Sequence, residues 1–299
     1  MQIGIAGTGR MGTAIAKRLA GLGHRLVVWN RTPAGADAAV AAGAARAATP
    51  AALVGEVDVV ISLLTDAAAI ESVYGGADGV LAAVLDGKLV IEMSTAQPQT
   101  QRDLAARVLA RGAGFVESPV GGSVGPALEG KLFGFVGGSD AHAARARPVL
   151  ELLCRRIEHL GPVGSGASMK LAINLPLMVY WQAFGEALSL IDDLGLDAKR
   201  VVDIFADTSG APAMFKTRAP LLAQALGGST DGPVTVNVAT IRKDLRTMLA
   251  EGDALDRSLP VAAQALACFD RAAAGGADAA DCTQLPVWWA RQGGRKAGA

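Results

Sequence analysis

The chain has 299 residues, 51% hydrophobic and 19% charged, and its 28 basic and 28 acidic residues give a formal net charge of zero. That length and apolarity suffice for one or two domains with a sizeable core. The balanced charge supplies no global field for nucleic acid or an anionic membrane, which leaves a small anionic ligand as the fitting partner.

The first strand, Met1–Ala6, runs into Gly7-Thr8-Gly9-Arg10-Met11-Gly12 and then into a helical stretch, Thr13–Ala20. Gly-x-Gly-x-x-Gly between a strand and a helix is the spacing of a dinucleotide-binding turn. Gly7 permits the tight turn, Gly9 lets the backbone approach a pyrophosphate and Gly12 lets the helix pack closely. The phosphates then sit on N–H groups at the helix start. Gly7, Thr8, Gly9, Arg10, Met11 and Gly12 are therefore candidate cofactor-binding residues; the alternative is a plain helix-start loop.

A second strand, Arg25–Trp29, is followed by Asn30-Arg31-Thr32. An acidic residue here would bind the ribose hydroxyls of NAD, and none is present. Arg31 suits a 2′-phosphate and can stack on adenine, with Asn30 and Thr32 as hydrogen-bonding neighbours, so NADPH is expected in preference to NADH. The other reading makes Arg31 a solvated residue and Asn30 a side chain bonding its own turn. Further strands are expected at Val57–Leu64, Leu89–Met93, Phe115–Val116 and Lys131–Val136. Alternation of strands with helices predicts a parallel, doubly wound α/β sheet of the Rossmann type over residues 1–162. Leu63 and Leu64 end one strand and pack either on the cofactor or in the core. Ser94 and Thr95 follow another, at the carboxyl edge where ligands of such sheets bind.

After Gly161-Pro162-Val163-Gly164-Ser165-Gly166 the pattern becomes all-helical, giving a second domain over 163–299. A helix from Ala167 to about Leu194, roughly 42 Å long, is expected, with Pro176 kinking or loosening one turn. Its apolar circumference predicts a homodimer or homotetramer built through the helical half, or else the centre of a monomeric bundle. Tyr180 and Trp181 on it are either pocket walls or packing residues. Gly227–Pro233 reads as a loop. Cys154, Cys268 and Cys282 are scattered and lack a histidine cluster, so no metal and no disulfide framework are expected, and a cytoplasmic setting is. The chain shows neither a leader pattern nor an apolar run of about 18 residues.

Lys170 and Asn174 stand i, i+4 and share a face at the start of the long helix. A lysine there can exchange a proton with a substrate oxygen if burial and neighbours bring its pKa down from about 10.4. Two more segments stand out, Glu117-Ser-Pro-Val-Gly-Gly-Ser123 and Arg242-Lys243-Asp244-Leu245. With the opening Gly-x-Gly-x-Met-Gly, Glu92-Met-Ser94-Thr95 and Gly164-Ser-Gly-Ala-Ser-Met-Lys170-Leu-Ala-Ile-Asn174, they make the chain resemble the β-hydroxyacid dehydrogenases of the 3-hydroxyisobutyrate dehydrogenase type, in order and over nearly its whole length.

The resemblance implies that Lys170 is the catalytic acid/base and that Asn174 orients the substrate. It places Ser94 and Thr95 near the nicotinamide and ribose, with Ser94 on the substrate side, and brings Lys243 near the nicotinamide end. The family's carboxylate-holding serine falls on Gly121. Backbone N–H groups of Gly121, Gly122 and Ser123, with the Ser123 hydroxyl, remain to take an anion. His24, His142 and His159 occupy no catalytic-looking context, and neither tyrosine starts a Tyr-x-x-x-Lys pattern. The expected function is an NADPH-dependent oxidoreductase interconverting a small hydroxy acid and its semialdehyde or ketone. An imine reductase on the same fold and a noncatalytic NADPH-binding protein are the alternatives.

Overall fold

In the computed structural model, which describes residues 1–293, the chain forms two compact units, Met1–Ala172 and a second from Ile173 onward. The first is built on six strands, β1 (Gln2–Ala6), β2 (Arg25–Trp29), β3 (Ala45–Arg46), β4 (Val59–Ser62), β5 (Leu89–Glu92) and β6 (Gly114–Glu117). They lie in the order β3-β2-β1-β4-β5-β6, every pair parallel. The strands β4 and β5, and the edge strand β6, are buried along their whole length, as a sheet covered by helices on both faces requires. Two separate apolar clusters, one around Ile3, Ile5 and Leu19 and one around Leu53, Tyr74 and Phe115, fill the two faces. The chain progresses outward from β1 through β2 to β3, then returns to the other side of β1 at β4. The carboxyl ends of β1 and β4 therefore flank the point where strand order reverses, the place where such sheets open a ligand crevice.

A smaller sheet follows in the order β7-β8-β9, with β7 (Val120–Gly121) antiparallel to β8 (Leu132–Val136) and β9 (Cys154–His159) parallel to it. The sequence pattern reveals β8 and the larger strands but misses β3, β7 and β9. Two of these are two residues long. The third carries Arg-Arg-Ile-Glu-His and begins without a turn directly after the helix Asp140–Leu153, so no periodicity marks it.

The long helix runs Ser165–Ser189, shorter than expected at its C-terminal end and about 38 Å long at 1.5 Å per residue. A short 3-10 turn, Asp192–Leu194, and a left-handed Gly195 (φ 61°) stop its continuation. Pro176 sits inside it, so the Ala172 carbonyl lacks an N–H four residues on. The division between the units falls within this helix, after Ala172, rather than in the loop before it. The physical reason is that its first turn is bound to the first unit through Glu117, as described below.

In the second unit, Tyr180 stacks on Phe184 and packs edge-on to Trp181 and Phe215, and its hydroxyl donates to the Gly210 carbonyl at 3.1 Å. Trp181, Phe184 and Phe215 are almost fully buried. Tyr180 and Trp181 thus belong to an aromatic core. The helices Val238–Ala254 and Pro260–Ala272 are tied by ion pairs from Arg242 (2.6 Å) and Arg246 (2.7 Å) to Asp270, and Arg242 also pairs with Asp278 (2.5 Å), beyond the second helix. All three cysteines are free and buried, and burial pushes the Cys154 and Cys282 thiols up to about 12. Among the described residues no helix is long and apolar enough to cross a membrane, and no cluster of potential metal ligands occurs.

Candidate active site

The three glycines of the opening turn do three different jobs. Gly7 adopts φ +97°, and a Cβ there would run into the Leu63 carbonyl at the end of β4. A Cβ on Gly12 would meet the Gly7 carbonyl oxygen, so the first helix, Arg10–Gly21, packs on the turn itself. Gly9 faces open space, with no atom within 4 Å of a Cβ placed there. This helix has no side-chain cap and no acidic residue in its first turn, so its leading N–H groups are available to an anion. The open space beside Gly9 and the uncapped helix start fit a pyrophosphate, which Gly9 and the N–H groups of Arg10, Met11 and Gly12 would hold.

Thr8 is a support instead. Its N–H donates to Asn30 Oδ1 (3.2 Å) and its hydroxyl to the Gly35 carbonyl (2.9 Å). Asn30 takes part in the same lock, its Nδ2 donating to the Thr32 carbonyl (2.9 Å). It therefore ties the glycine turn to the end of β2, and the exposed side chains there are Arg31 and Thr32. Beside them lies a hollow of about 140 Å³ whose lining includes Asn30 itself, with Trp29, Arg31, Pro33, Ala36 and Arg46. Arg46, on β3, is a second guanidinium at this hollow, bonded to the Pro33 carbonyl (3.0 Å) and to Asp37 (2.5 Å). Sequence reading misses it because β3 is too short to register.

At the carboxyl ends of β4 and β5, Leu63 and Leu64 are half-buried. Ser94 is almost fully buried, its hydroxyl accepting the Leu64 N–H (2.7 Å) and donating to the Glu92 carboxyl. That differs from the expected substrate contact: Ser94 braces two strand ends, and the half-exposed Thr95 follows it. Glu92 is fully buried and also receives the Ser94 N–H and the Gln101 amide (2.5 Å). Burial is the main cause raising its carboxyl pKa, against these donors.

Glu117 pairs in register with Glu92 on the neighbouring strand and is also fully buried. Its Oε1 accepts three backbone N–H groups, from Gly164 (2.7 Å), Gly166 (2.8 Å) and Ala167 (3.2 Å). Burial pushes this carboxyl up to about 7, against the pull of those bonds, with Glu92 adding to the rise. Both acids head motif segments of the sequence, Glu92–Thr95 and Glu117–Ser123, but motif reading gives neither of them a role. Their signal is an acid closing an apolar strand, Leu-Val-Ile-Glu and Gly-Phe-Val-Glu.

Gly121 lies in β7, where a Cβ would meet Phe133 and Phe135 at an ordinary 3.5 Å. Gly122 requires its glycine, with φ +119° and Leu132 Cδ2 2.8 Å from a Cβ. Ser123 precedes the short helix Val124–Glu129 without capping it through its hydroxyl. Lys170, half-buried, stands on the second turn of the helix Ser165–Ser189, and Asn174, 9% exposed, stands one turn further along it. Lys243 is ion-paired with its buried neighbour Asp244 on the helix Val238–Ala254.

A Gly-rich turn at the switch point of a parallel sheet, beside a basic hollow, defines a dinucleotide-binding protein. Residues 2–161 match the family model of the NAD binding domain of 6-phosphogluconate dehydrogenase, and residues 164–288 match that described as NAD-binding of NADP-dependent 3-hydroxyisobutyrate dehydrogenase. The chain is 34% identical over 272 residues to glyoxylate/succinic semialdehyde reductase 1 of Arabidopsis thaliana, covering 91% of this chain and 92% of that protein. It is similar to a solved structure of Mycobacterium tuberculosis 3-hydroxyisobutyrate dehydrogenase with L-serine (TM-score 0.82, 29% identity, 96% and 98% of the chains). A reductive aminase from Aspergillus terreus, solved with NADPH4, cyclohexanone and allyl amine, shares the fold less closely (TM-score 0.63, 25% identity, 96% and 99% of the chains). The chain belongs to the β-hydroxyacid dehydrogenase family, and it is an NAD(P)-dependent oxidoreductase.

Proposed function

We propose that this enzyme uses NADPH to interconvert a small hydroxy acid and its semialdehyde or ketone, with Lys170 exchanging the proton at the substrate oxygen and Asn174 orienting the substrate. The bound nicotinamide supplies or accepts the hydride at the substrate carbon. In reduction the Lys170 ammonium gives its proton to the oxygen that gains charge; in oxidation the neutral amine takes it from the alcohol. Gly121, Gly122 and Ser123 are assigned to the substrate carboxylate, and Thr95 and Lys243 to the nicotinamide end. The observation that carries the reading is Lys170 on a helix whose first turn is clamped to the carboxyl edge of the sheet by Glu117.

The test is NADPH consumption with glyoxylate, with succinic semialdehyde and with cyclohexanone plus allyl amine, and NADP+ reduction with 3-hydroxyisobutyrate and L-serine. Turnover of an acid-bearing compound is the expected result. Turnover confined to the ketone–amine mixture assigns the enzyme to imine reduction, the second reading, which the fold shared with the reductive aminase supports.

The preference for NADPH is supported by Arg31 and by the lack of an acid at the end of β2. Arg31→Ala is expected to raise the KM for NADPH roughly 10- to 100-fold, the cost of one or two charge-assisted hydrogen bonds, and to change that for NADH less than about threefold. Equal effects on both cofactors overturn the preference.

Gly121→Ser fits without a clash, because its Cβ makes only van der Waals contacts. It is expected to raise kcat/KM for small carboxylate-bearing substrates about tenfold by restoring a hydroxyl donor to an anion; unchanged kinetics exclude Gly121 from specificity. We assign a homodimer or homotetramer to the helical half, with support from Met169 and Ile173, four residues apart and exposed on the long helix.

A further inference from the structure

We propose that Glu117 is a positioning residue for Lys170, acting by holding the first turn of the helix Ser165–Ser189. The leading N–H groups of a helix have no partner within it, and a side chain at the N-terminal boundary usually satisfies them. Here the preceding residue is Gly164, which has no side chain to offer. The acceptor comes instead from the end of β6, and Glu117 Oε1 takes the N–H groups of Gly164, Gly166 and Ala167 together. Lys170 lies three and four residues after the last two of these, so it stands one turn above the clamped groups on the same face.

The carboxyl has nowhere else to go. Glu117 and Gly137 exchange backbone hydrogen bonds (2.9 and 3.0 Å), and a Cβ on Gly137 would run into Oε1. A Cβ on Gly166 would likewise run into the Phe135 carbonyl, which presses the helix start against β8. The slot that seats Glu117 is thus closed by two glycines, one on the sheet and one on the helix.

The two oxygens of Glu117 differ. All three donors converge on Oε1, and the buried Oε2 has no partner, whereas Glu92 has donors on both oxygens. Burial raises this carboxyl to about 7 against those three donors, so its neutral form is populated near neutral pH. Glutamine reproduces this arrangement, with the same acceptor oxygen and a neutral group at the other position. Leucine removes the acceptor at similar volume.

The inference rests on Lys170 as the proton donor, and its test separates the two. With NADPH and whichever of glyoxylate and succinic semialdehyde turns over faster, Glu117→Leu is expected to lower kcat about 10- to 100-fold, with KM and NADPH affinity within about threefold. Glu117→Gln is expected to keep kcat within about threefold of wild type. Amide hydrogen exchange at Gly166 and Ala167, which needs no turnover, should accelerate in the leucine variant and not in the glutamine variant. Gly137→Ala crowds Oε1 from the other side and should repeat the selective fall in kcat, serving also where the leucine variant does not fold. If Glu117→Leu keeps wild-type kcat while Lys170→Ala is inactive, the inference is overturned. The same follows if kcat and NADPH affinity fall together and glutamine fails to rescue, since Glu117 is then a structural cap only. An active Lys170→Ala instead overturns the functional reading beneath it.

Discussion

Lys170→Ala is expected to lower kcat by roughly 10²- to 10⁴-fold, the contribution of a positioned general acid or base, while NADPH binds as in wild type. Lys170 stands on the second turn of its helix, separate from the glycine turn and from Arg31, so its removal leaves the candidate dinucleotide contacts in place. Lys170→Arg separates the proton from the charge. The guanidinium keeps the positive charge but does not release its proton near neutral pH, so it is expected to bind an anionic substrate and still turn it over slowly. A rise in KM with unchanged kcat for either variant would reduce Lys170 to a binding residue. Turnover of Lys170→Ala within about tenfold of wild type would place the proton donor elsewhere.

Gly12→Ala and Gly9→Ala, the same chemical change three residues apart, are expected to fail in opposite ways. At Gly12 the added Cβ meets the Gly7 carbonyl, backbone against backbone, and neither can swing away as a flexible side chain would. The turn or the helix must shift, and the loss of stability is expected to be about 3 kcal/mol or more, at the upper end of overpacking costs. At Gly9 nothing lies within 4 Å, so the melting temperature should stay within about 2 °C of wild type. The new methyl instead occupies the space assigned to the pyrophosphate, and NADPH affinity should fall about 100-fold, as expected when the backbone approach is blocked. Thermal melts with calorimetric NADPH titrations of both variants check the pair. Tight NADPH binding by Gly9→Ala would remove the pyrophosphate from this turn.

The Rossmann unit was legible because its signals are local. β1 and β2 are five-residue apolar strands bounded by glycine or polar residues, and the sequence reading places both to within a residue. The strands that escaped notice are short or polar, and they exist because a neighbouring strand offers hydrogen bonds. The candidate site divides in the same way. Gly7 and Gly12 were recognisable by spacing, and the structure adds the atoms that make each one necessary. Ser94 was recognised as a residue of the site region, but its side chain turned out to face inward, committed to Glu92, while Asn30 lines the hollow and also braces Thr8. Whether a polar side chain faces a ligand or its own scaffold depends on donors brought in from distant segments, which spacing does not encode.

By itself, the sequence determined the parallel α/β order of the first half, the helical character of the second, the glycine turn and the Lys170/Asn174 spacing, since each depends on residues near one another along the chain. Only the tertiary structure decided that two buried acids close adjacent strands and that Arg46 joins Arg31 beside one hollow. It also seated Tyr180 and Trp181 in an aromatic core and showed that the helix carrying Lys170 begins on a carboxyl 47 residues upstream. These features share one physical cause: burial removes water as a partner, so each polar group must find another in whatever segment the fold packs against it.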